Sequence, residues 1–128
     1  MRIAVSFPGG AVVEADLDGH VVKTDQPLPW GDDSAPAPFD LFLASIATCM
    51  GYYALRFCQE RQIATKGLGL ELETVKDEER KRIGSIRITL ALPAGFPEKY
   101  RAAIGRAVDQ CSVKKHMIEP PAFALTVR

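Results

Sequence analysis

Residues 38–63, PFDLFLASIATCMGYYALRFCQERQI, contain the most apolar stretch of the chain, and they decide its fold. Pro38 suits the first turn of a helix, and Asp40 favours the positive end of the helix dipole. From Leu41 to Leu55 the sequence is apolar nearly all round, which is typical of a helix buried on most sides. A domain of this size seldom encloses such a helix alone. We therefore expect a second subunit to cover part of it, with two sheets of the same chain as the alternative.

The segments before this helix predict a three-stranded meander. Its strands are IAVSF, AVVEADL and HVVKTD, and Asp18-Gly19 is a strong hairpin signal between the last two. The proline-rich segment QPLPWGDDSAPAP follows, and we expect it to be an irregular loop. Long ordered loops often carry function, and Trp30 in this loop is a candidate for lining a pocket.

The segments after the helix predict two more strands, LGLELETVKD and IGSIRITLAL, and a second helix over residues 97–110. In CSVKKHM we expect Ser112 to cap a short helical turn. AFALTV is the last predicted strand. The predicted order is βββ–α–ββ–α–β, in a single domain that spans residues 1–128. Strands grouped apart from helices indicate an α+β fold rather than a doubly wound parallel sheet.

Composition and charge exclude several classes of protein. The 128 residues include sixteen basic and sixteen acidic side chains, whereas a sequence-independent nucleic-acid binder carries a basic excess. The most apolar stretch, Phe39–Leu55, is shorter than the about 20 residues of a membrane-spanning helix, and the N-terminus lacks the apolar core of a signal peptide. We therefore expect a cytoplasmic protein with no membrane and no nucleic-acid partner. The three cysteines, Cys49, Cys58 and Cys111, fit no secreted disulfide framework and no standard zinc spacing.

Two of these cysteines lie in motifs of a known kind. PFDLFLASIATCMGYY, followed some sixty residues later by QCSVKKHM, resembles the OsmC/Ohr family of osmotically inducible and organic hydroperoxide resistance proteins. The resemblance covers most of the chain, and Asp40 matches the carboxylate of the OsmC-like branch. It implies an intertwined homodimer in which sheets wrap two central helices and the cysteine sites lie at the subunit boundary.

The resemblance also implies thiol-dependent reduction of organic hydroperoxides without a cofactor. Cys49 matches the peroxidatic cysteine and Cys111 the resolving cysteine. A thiolate attacks the O–O bond and becomes a sulfenic acid, a second thiol condenses with it, and an external dithiol reduces the disulfide. An apolar lining would favour organic peroxides over hydrogen peroxide; it comprises Leu43, Ile46, Met50, Tyr52 and Tyr53.

The sequence departs from the family at one functional position. Attack needs the thiolate, and an arginine of the N-terminal region, held by the carboxylate, stabilises it in well-characterised family members. Here Arg56 is the only arginine between Ile3 and Phe57. The other candidate cations are Lys23, Lys114, Lys115 and His116. Asp40 precedes Cys49 by nine residues, about 13.5 Å along a continuous helix, so any contact of Asp40 with the sulfur needs a partner subunit or a broken first turn.

Two alternatives stay open at this point. The first is a non-catalytic member of the family that binds a small apolar ligand or senses thiol redox state in the same dimer pocket, which the missing arginine favours. The second is a metal site built from Cys49, Cys111 and His116, for which the sequence offers no clear fourth ligand.

Overall fold

Three antiparallel strands form the N-terminal sheet in a computed structural model that describes residues 1–128. The strands are β1 (Ile3–Gly9), β2 (Val12–Leu17) and β3 (His20–Thr24), in the order β1-β2-β3. Asp18 (φ 53°) and Gly19 (φ 99°) form the two-residue connection between β2 and β3, as the hairpin signal predicts. The Gly19 N–H also donates to Asp16 Oδ1 at 2.7 Å, so the turn is stabilised by its own residues.

The central helix, α1, runs from Pro38 to Glu60, and hydrogen bonds define both of its ends. At its start, Asp40 Oδ2 accepts the backbone N–H of Ala37 at 3.0 Å, so a carboxylate of the first turn bonds back to the capping residue. At its end, Gln62 adopts a left-handed conformation (φ 54°), and the Ile63 N–H donates to the Cys58 carbonyl at 2.9 Å. This is the pattern of a Schellman motif, and it stops the helix close to the predicted boundary.

One face of α1 is buried by this chain alone, and much of the rest is not. The buried side chains recur at helical spacing and are Ile46, Met50, Ala54, Phe57 and Cys58. Tyr52 and Leu55, on other faces, are exposed. Because α1 continues to Glu60, it is also long and apolar enough to cross a membrane by length and composition, contrary to the expectation from Phe39–Leu55. The core helix of a soluble protein has the same two properties, so this is weak evidence for a membrane span.

A two-stranded antiparallel sheet follows α1. It consists of β4 (Gly69–Asp77) and β5 (Arg82–Ala91). At the connecting turn Asp77 Oδ1 accepts the N–H groups of Glu79 and Arg80 at 3.1 and 3.0 Å. Charged residues therefore form this turn, and its solvent-facing position agrees with the sequence.

Two short helices complete the C-terminal part. After a 3₁₀ turn at Glu98–Tyr100 come α2 (Arg101–Val108) and α3 (Ser112–Ile118). Ile104 of α2 is 1% exposed. The prediction that Ser112 caps α3 is wrong, because the capping residue is Cys111, whose Sγ accepts the Lys114 N–H at 3.4 Å.

The α+β class is confirmed, but the last strand of the predicted order is wrong for the single chain. AFALTV forms no strand, and its alternating apolar side chains Phe123, Leu125 and Val127 are 93%, 92% and 87% exposed. A strand exists only when a neighbouring strand pairs with its backbone groups, and no strand pairs with this segment. The chain divides into two units, Met1–Ala44 and Ser45–Arg128, and the single domain stays a prediction.

Candidate functional site: a pair of thiols

Cys49 lies on the fourth turn of α1, within the unit Ser45–Arg128. Ile46 and Met50, one turn before it and one residue after it, are 3% and 6% exposed. Cys49 itself is half-buried and free. Cys49 is therefore next to the apolar core of this unit and is also partly exposed to solvent.

Cys111 lies in the short connection between α2 and α3, and it is completely buried. The Lys114 N–H bonds to its sulfur as the first turn of α3 begins, so the side chain is held in one place. Cys111 is also a free thiol. Because it has no access to solvent in the chain, Cys111 is protected from direct reaction while Cys49 is not.

The fold brings the two thiols together although 62 positions separate them in the sequence. The two thiols are close enough for each to change the pKa of the other. Ser112 is the next residue, and its Oγ lies 3.8 Å from Cys49 Sγ. A helix, α1, thus presents one sulfur to a short segment that carries both the second sulfur and a hydroxyl group.

The surroundings shift the pKa values of the two thiols in opposite directions. Burial raises the pKa of Cys49, but hydrogen bonds from the Val113 backbone, the Cys111 thiol and the side chain and backbone of Ser112 outweigh it, so the pKa lies below its ordinary value. Burial raises the pKa of Cys111, and the hydrogen bond and negative charge of Cys49 raise it further, against weaker backbone donors. Cys49 is therefore the thiol that ionises first, and Cys111 is the one that keeps its proton.

The positively charged side chains near these cysteines in sequence bond elsewhere. Lys114 forms an ion pair with Asp109, and the Lys115 ammonium donates to Gln110 Oε1 at 2.9 Å. His116 Nδ1 lies 2.7 Å from the Ser112 carbonyl oxygen. The effects that lower the Cys49 pKa are hydrogen bonds and not contacts with these cations.

The metal alternative lacks a ligand set. In residues 1–128 no group of three or more His, Cys, Asp or Glu side chains is arranged to hold a metal ion. Cys49 and Cys111 without a third such ligand do not form a zinc site, which takes four ligands or three plus water.

The third cysteine, Cys58, is separate from the pair. It is completely buried, and burial raises its pKa. An apolar, protonated thiol of this kind is a packing residue.

Of the predicted apolar lining, Tyr53 faces a groove between the second half of α1 and α2. The groove has a volume of about 590 Å³, and Tyr52, Phe57 and Ala107 are among its other lining residues. Ile46 and Met50 are part of the core instead. Their substrate-binding roles stay predictions.

Trp30 and Asp40 belong to the other unit, Met1–Ala44. Trp30 is 76% exposed in a loop, and Asp40 bonds to the start of its own helix. The loop is fixed from inside by Asp25, which is 1% exposed and accepts hydrogen bonds from Gln26 N and from both Ser34 N and Ser34 Oγ. Ser34, chiefly through its hydroxyl, holds the pKa of Asp25 at about 2. The roles of Trp30 and Asp40 at a thiol site stay predictions.

Sequence reasoning missed two residues of this description. The sequence predicts Asp25 as the end of a strand, and nothing local marks it as a buried anchor. The sequence predicts Ser112 as a helix cap. Its place beside Cys111 in the CSV motif is the available signal, because a residue next to one sulfur of a pair also lies near the other.

These observations define a class: an α+β protein in which a half-buried thiol of lowered pKa lies beside a buried thiol. The chain belongs to the OsmC-like protein family, whose model matches residues 31–126, and the resemblance stated from the sequence is confirmed. No curated protein matches the chain significantly.

Solved structures show the same fold at low sequence identity. A protein of Psychrobacter arcticus assigned to osmotic stress and detoxification is 22% identical, with a TM-score of 0.73, over 90% of this chain and 86% of the other. An organic hydroperoxide resistance protein OsmC of Legionella pneumophila is 17% identical, with a TM-score of 0.59, over 91% and 89%. The organic hydroperoxide resistance protein OhrB of Bacillus subtilis is 21% identical, with a TM-score of 0.52, over 91% and 90%. These likenesses establish the fold.

Proposed function

We propose that this chain is a cysteine-based peroxidase that reduces organic hydroperoxides, with Cys49 as the nucleophile and Cys111 as the resolving thiol. The observation that carries the proposal is the pairing of a half-buried Cys49 of lowered pKa with a buried Cys111 of raised pKa. Some structures of the same fold are named as organic hydroperoxide resistance proteins, which agrees with it.

The proposed cycle has three steps: attack on the peroxide, formation of a disulfide and reduction of that disulfide. The Cys49 thiolate attacks the terminal oxygen of the hydroperoxide, the O–O bond breaks, and the alkoxide takes a proton from water to leave as an alcohol. Cys49 is now a sulfenic acid, and the Cys111 thiol condenses with it to form a disulfide and release water. An external dithiol then reduces the disulfide by exchange and is itself oxidised.

The positions of the two sulfurs suit this order of events. The thiolate that reacts is the more exposed of the two, and the thiol that resolves already interacts with it. Cys111 is therefore expected to remove the sulfenic acid before a second peroxide over-oxidises it. The groove beside Tyr53 is lined by both aromatic and charged side chains, and its aromatic rings offer a surface to the carbon chain of an organic peroxide.

We also propose that the working form is a cytoplasmic homodimer. The exposed side chains of α1, with Phe123, Leu125 and Val127 of the C-terminal segment, present apolar surface that water solvates poorly. A second copy of the chain would cover α1 and pair with the C-terminal segment as a strand.

The test of activity is turnover with cumene hydroperoxide in the presence of dithiothreitol. The wild-type chain and Cys58→Ser are expected to consume the peroxide at similar rates, because Cys58 is outside the pair. Cys49→Ser is expected to abolish turnover. Failure of the wild-type chain to consume peroxide above the rate of dithiothreitol alone would reject the peroxidase and favour the non-catalytic ligand binder.

A further inference from the structure

The Cys49 thiolate needs a stabilising partner, and the lysine and histidine side chains nearest in sequence do not supply one. Lys114, Lys115 and His116 bond to Asp109, Gln110 and the Ser112 carbonyl. The causes that lower the pKa of Cys49 include no positive charge. The negative sulfur is therefore stabilised by neutral hydrogen-bond donors.

Among those donors Ser112 offers a side chain. Its Oγ is 3.8 Å from Cys49 Sγ, within the range of a hydrogen bond to sulfur. A thiolate has no proton to give, so in the ionised state the hydroxyl must be the donor. The position is enforced by the fold, because Cys111 caps α3 through the Lys114 N–H and Ser112 is the first residue of that helix.

We propose that Ser112 is a catalytic residue whose hydroxyl donates a hydrogen bond to the Cys49 sulfur and holds it as the thiolate, in place of a positively charged side chain. The proposal rests on the proposed function, since it names the activating group of the same site. Ser112 keeps its proton throughout. Cys49 loses its proton to solvent, and the hydrogen bond from Ser112 favours that ionised state until the sulfur attacks the peroxide.

The consequence for reactivity depends on pH. A hydrogen bond to an ionised group changes the ionisation constant by about tenfold. Part of the loss in thiolate is offset because a more basic thiolate is more nucleophilic, so removing the hydroxyl slows reaction about threefold to tenfold at pH 7. At a pH where both forms are fully ionised, the difference disappears or reverses.

The experiment compares Ser112→Ala with the wild-type chain, with Ser112→Thr as the variant that keeps a hydroxyl. Ser85→Ala, which removes a hydroxyl from β5, is the matched control for loss of a serine. Each protein is reduced and alkylated with iodoacetamide between pH 5 and 10, and the alkylation rate of the Cys49 peptide is followed by mass spectrometry. The same four proteins are assayed for cumene hydroperoxide turnover and for thermal unfolding.

We expect the Ser112→Ala alkylation curve to shift to higher pH and to meet or cross the wild-type curve at high pH. Ser112→Thr and Ser85→Ala should follow the wild-type chain. A Ser112→Ala curve that superposes on the wild-type curve, or that is lowered equally at every pH, overturns the proposal. Alkylation needs no peroxide, so the two proposals fail separately. Absence of turnover in the wild-type chain would reject the peroxidase function, and the alkylation curves would still decide whether Ser112 stabilises the Cys49 thiolate.

Discussion

Cys49 and Cys111 shift each other's pKa in opposite directions. The Cys111 thiol donates to Cys49 and lowers its pKa, and the same contact raises the pKa of Cys111. The pair therefore holds one proton more firmly than two separate thiols would, and the fold decides which sulfur carries it. Burial adds to this difference, because Cys111 is 0% exposed and Cys49 is half-buried.

The order in which the three thiols react with an alkylating agent follows from these surroundings. Cys49 is expected to react first and at a pH below that of an ordinary cysteine, because it is the most accessible and its pKa is lowered. Cys58 and Cys111, which are buried and have raised pKa values, are expected to react only when the chain unfolds. Peptide mapping after brief exposure to iodoacetamide checks the order, and labelling of Cys111 before Cys49 would contradict it.

Removing the resolving thiol should change the oxidation product of Cys49 but not the attack of Cys49 on the peroxide. In Cys111→Ser the Cys49 sulfenic acid has no thiol partner, so we expect it to persist and then to over-oxidise to sulfinic acid as peroxide is added. Intact-mass measurement should find added oxygen in this variant and loss of two hydrogens in the wild-type chain. Disulfide formation in Cys111→Ser, through Cys58, would show that the roles of the cysteines are assigned wrongly.

The Asp25 anchor should make the loop of Trp30 sensitive to acid. The hydrogen bonds from Ser34 hold the pKa of Asp25 at about 2, below the ordinary value of 3.8. Their contribution to the free energy of unfolding is therefore complete above pH 3.8 and is lost as the pH falls towards 2. Ser34→Ala should lower the unfolding temperature at pH 6 and reduce its dependence on pH below 4. Asp33→Asn, an exposed change in the same loop, should do neither.

Replacement by alanine should have opposite effects on the stability of the chain at two of its glycines. At Gly31 a Cβ would lie 2.5 Å from both Asp25 Oδ1 and the Gln26 carbonyl oxygen, so Gly31→Ala must displace the loop and destabilise the chain. Gly105 on α2 has open space at that position, so Gly105→Ala should stabilise by about 0.5–1 kcal/mol, the helix-propensity difference. Chemical denaturation of both variants measures the two effects. A neutral Gly31→Ala would mean that the loop is not held as described.

The homodimer can be tested at the C-terminal segment. Leu125 is 92% exposed, and the residues at this spacing form one apolar face of a predicted strand. If a partner covers that face, Leu125→Asp should weaken the dimer, and Thr126→Asp, which points to the opposite face, should weaken it much less. Sedimentation velocity measures the assembly. A wild-type chain that stays monomeric at micromolar concentration would contradict the proposed dimer.

The elements that agree with the sequence are those whose signals are local. Helix α1, the Asp18-Gly19 hairpin and the β4–β5 pair depend on periodicity and turn residues, so a reader of the sequence alone places them within a few residues. The C-terminal strand has the right alternation but no neighbouring strand within the chain. Its alternation therefore does not fix its structure, because pairing is a property of the fold and not of the segment.

The features of the thiol site depend on the fold and have no local signal in the sequence. The pairing of Cys49 with Cys111 could be expected only from the family resemblance, because nothing in the 61 intervening residues indicates that the helix and the later segment meet. The donors that lower the pKa of Cys49 could not be predicted from the sequence. They are neutral groups, among them a serine hydroxyl and backbone N–H groups, whereas the sequence suggested positively charged side chains. Hydrogen bonds of this kind cannot be predicted from the composition of the chain or from the spacing of its residues.

The disulfide between Cys49 and Cys111 is tested by adding one equivalent of cumene hydroperoxide to the fully reduced chain and mapping its disulfides. We expect two thiols to disappear within seconds and the peptide containing Cys49 to be joined to the peptide containing Cys111, with Cys58 still free. Retention of all three thiols over minutes, or a disulfide that omits Cys49, would contradict it.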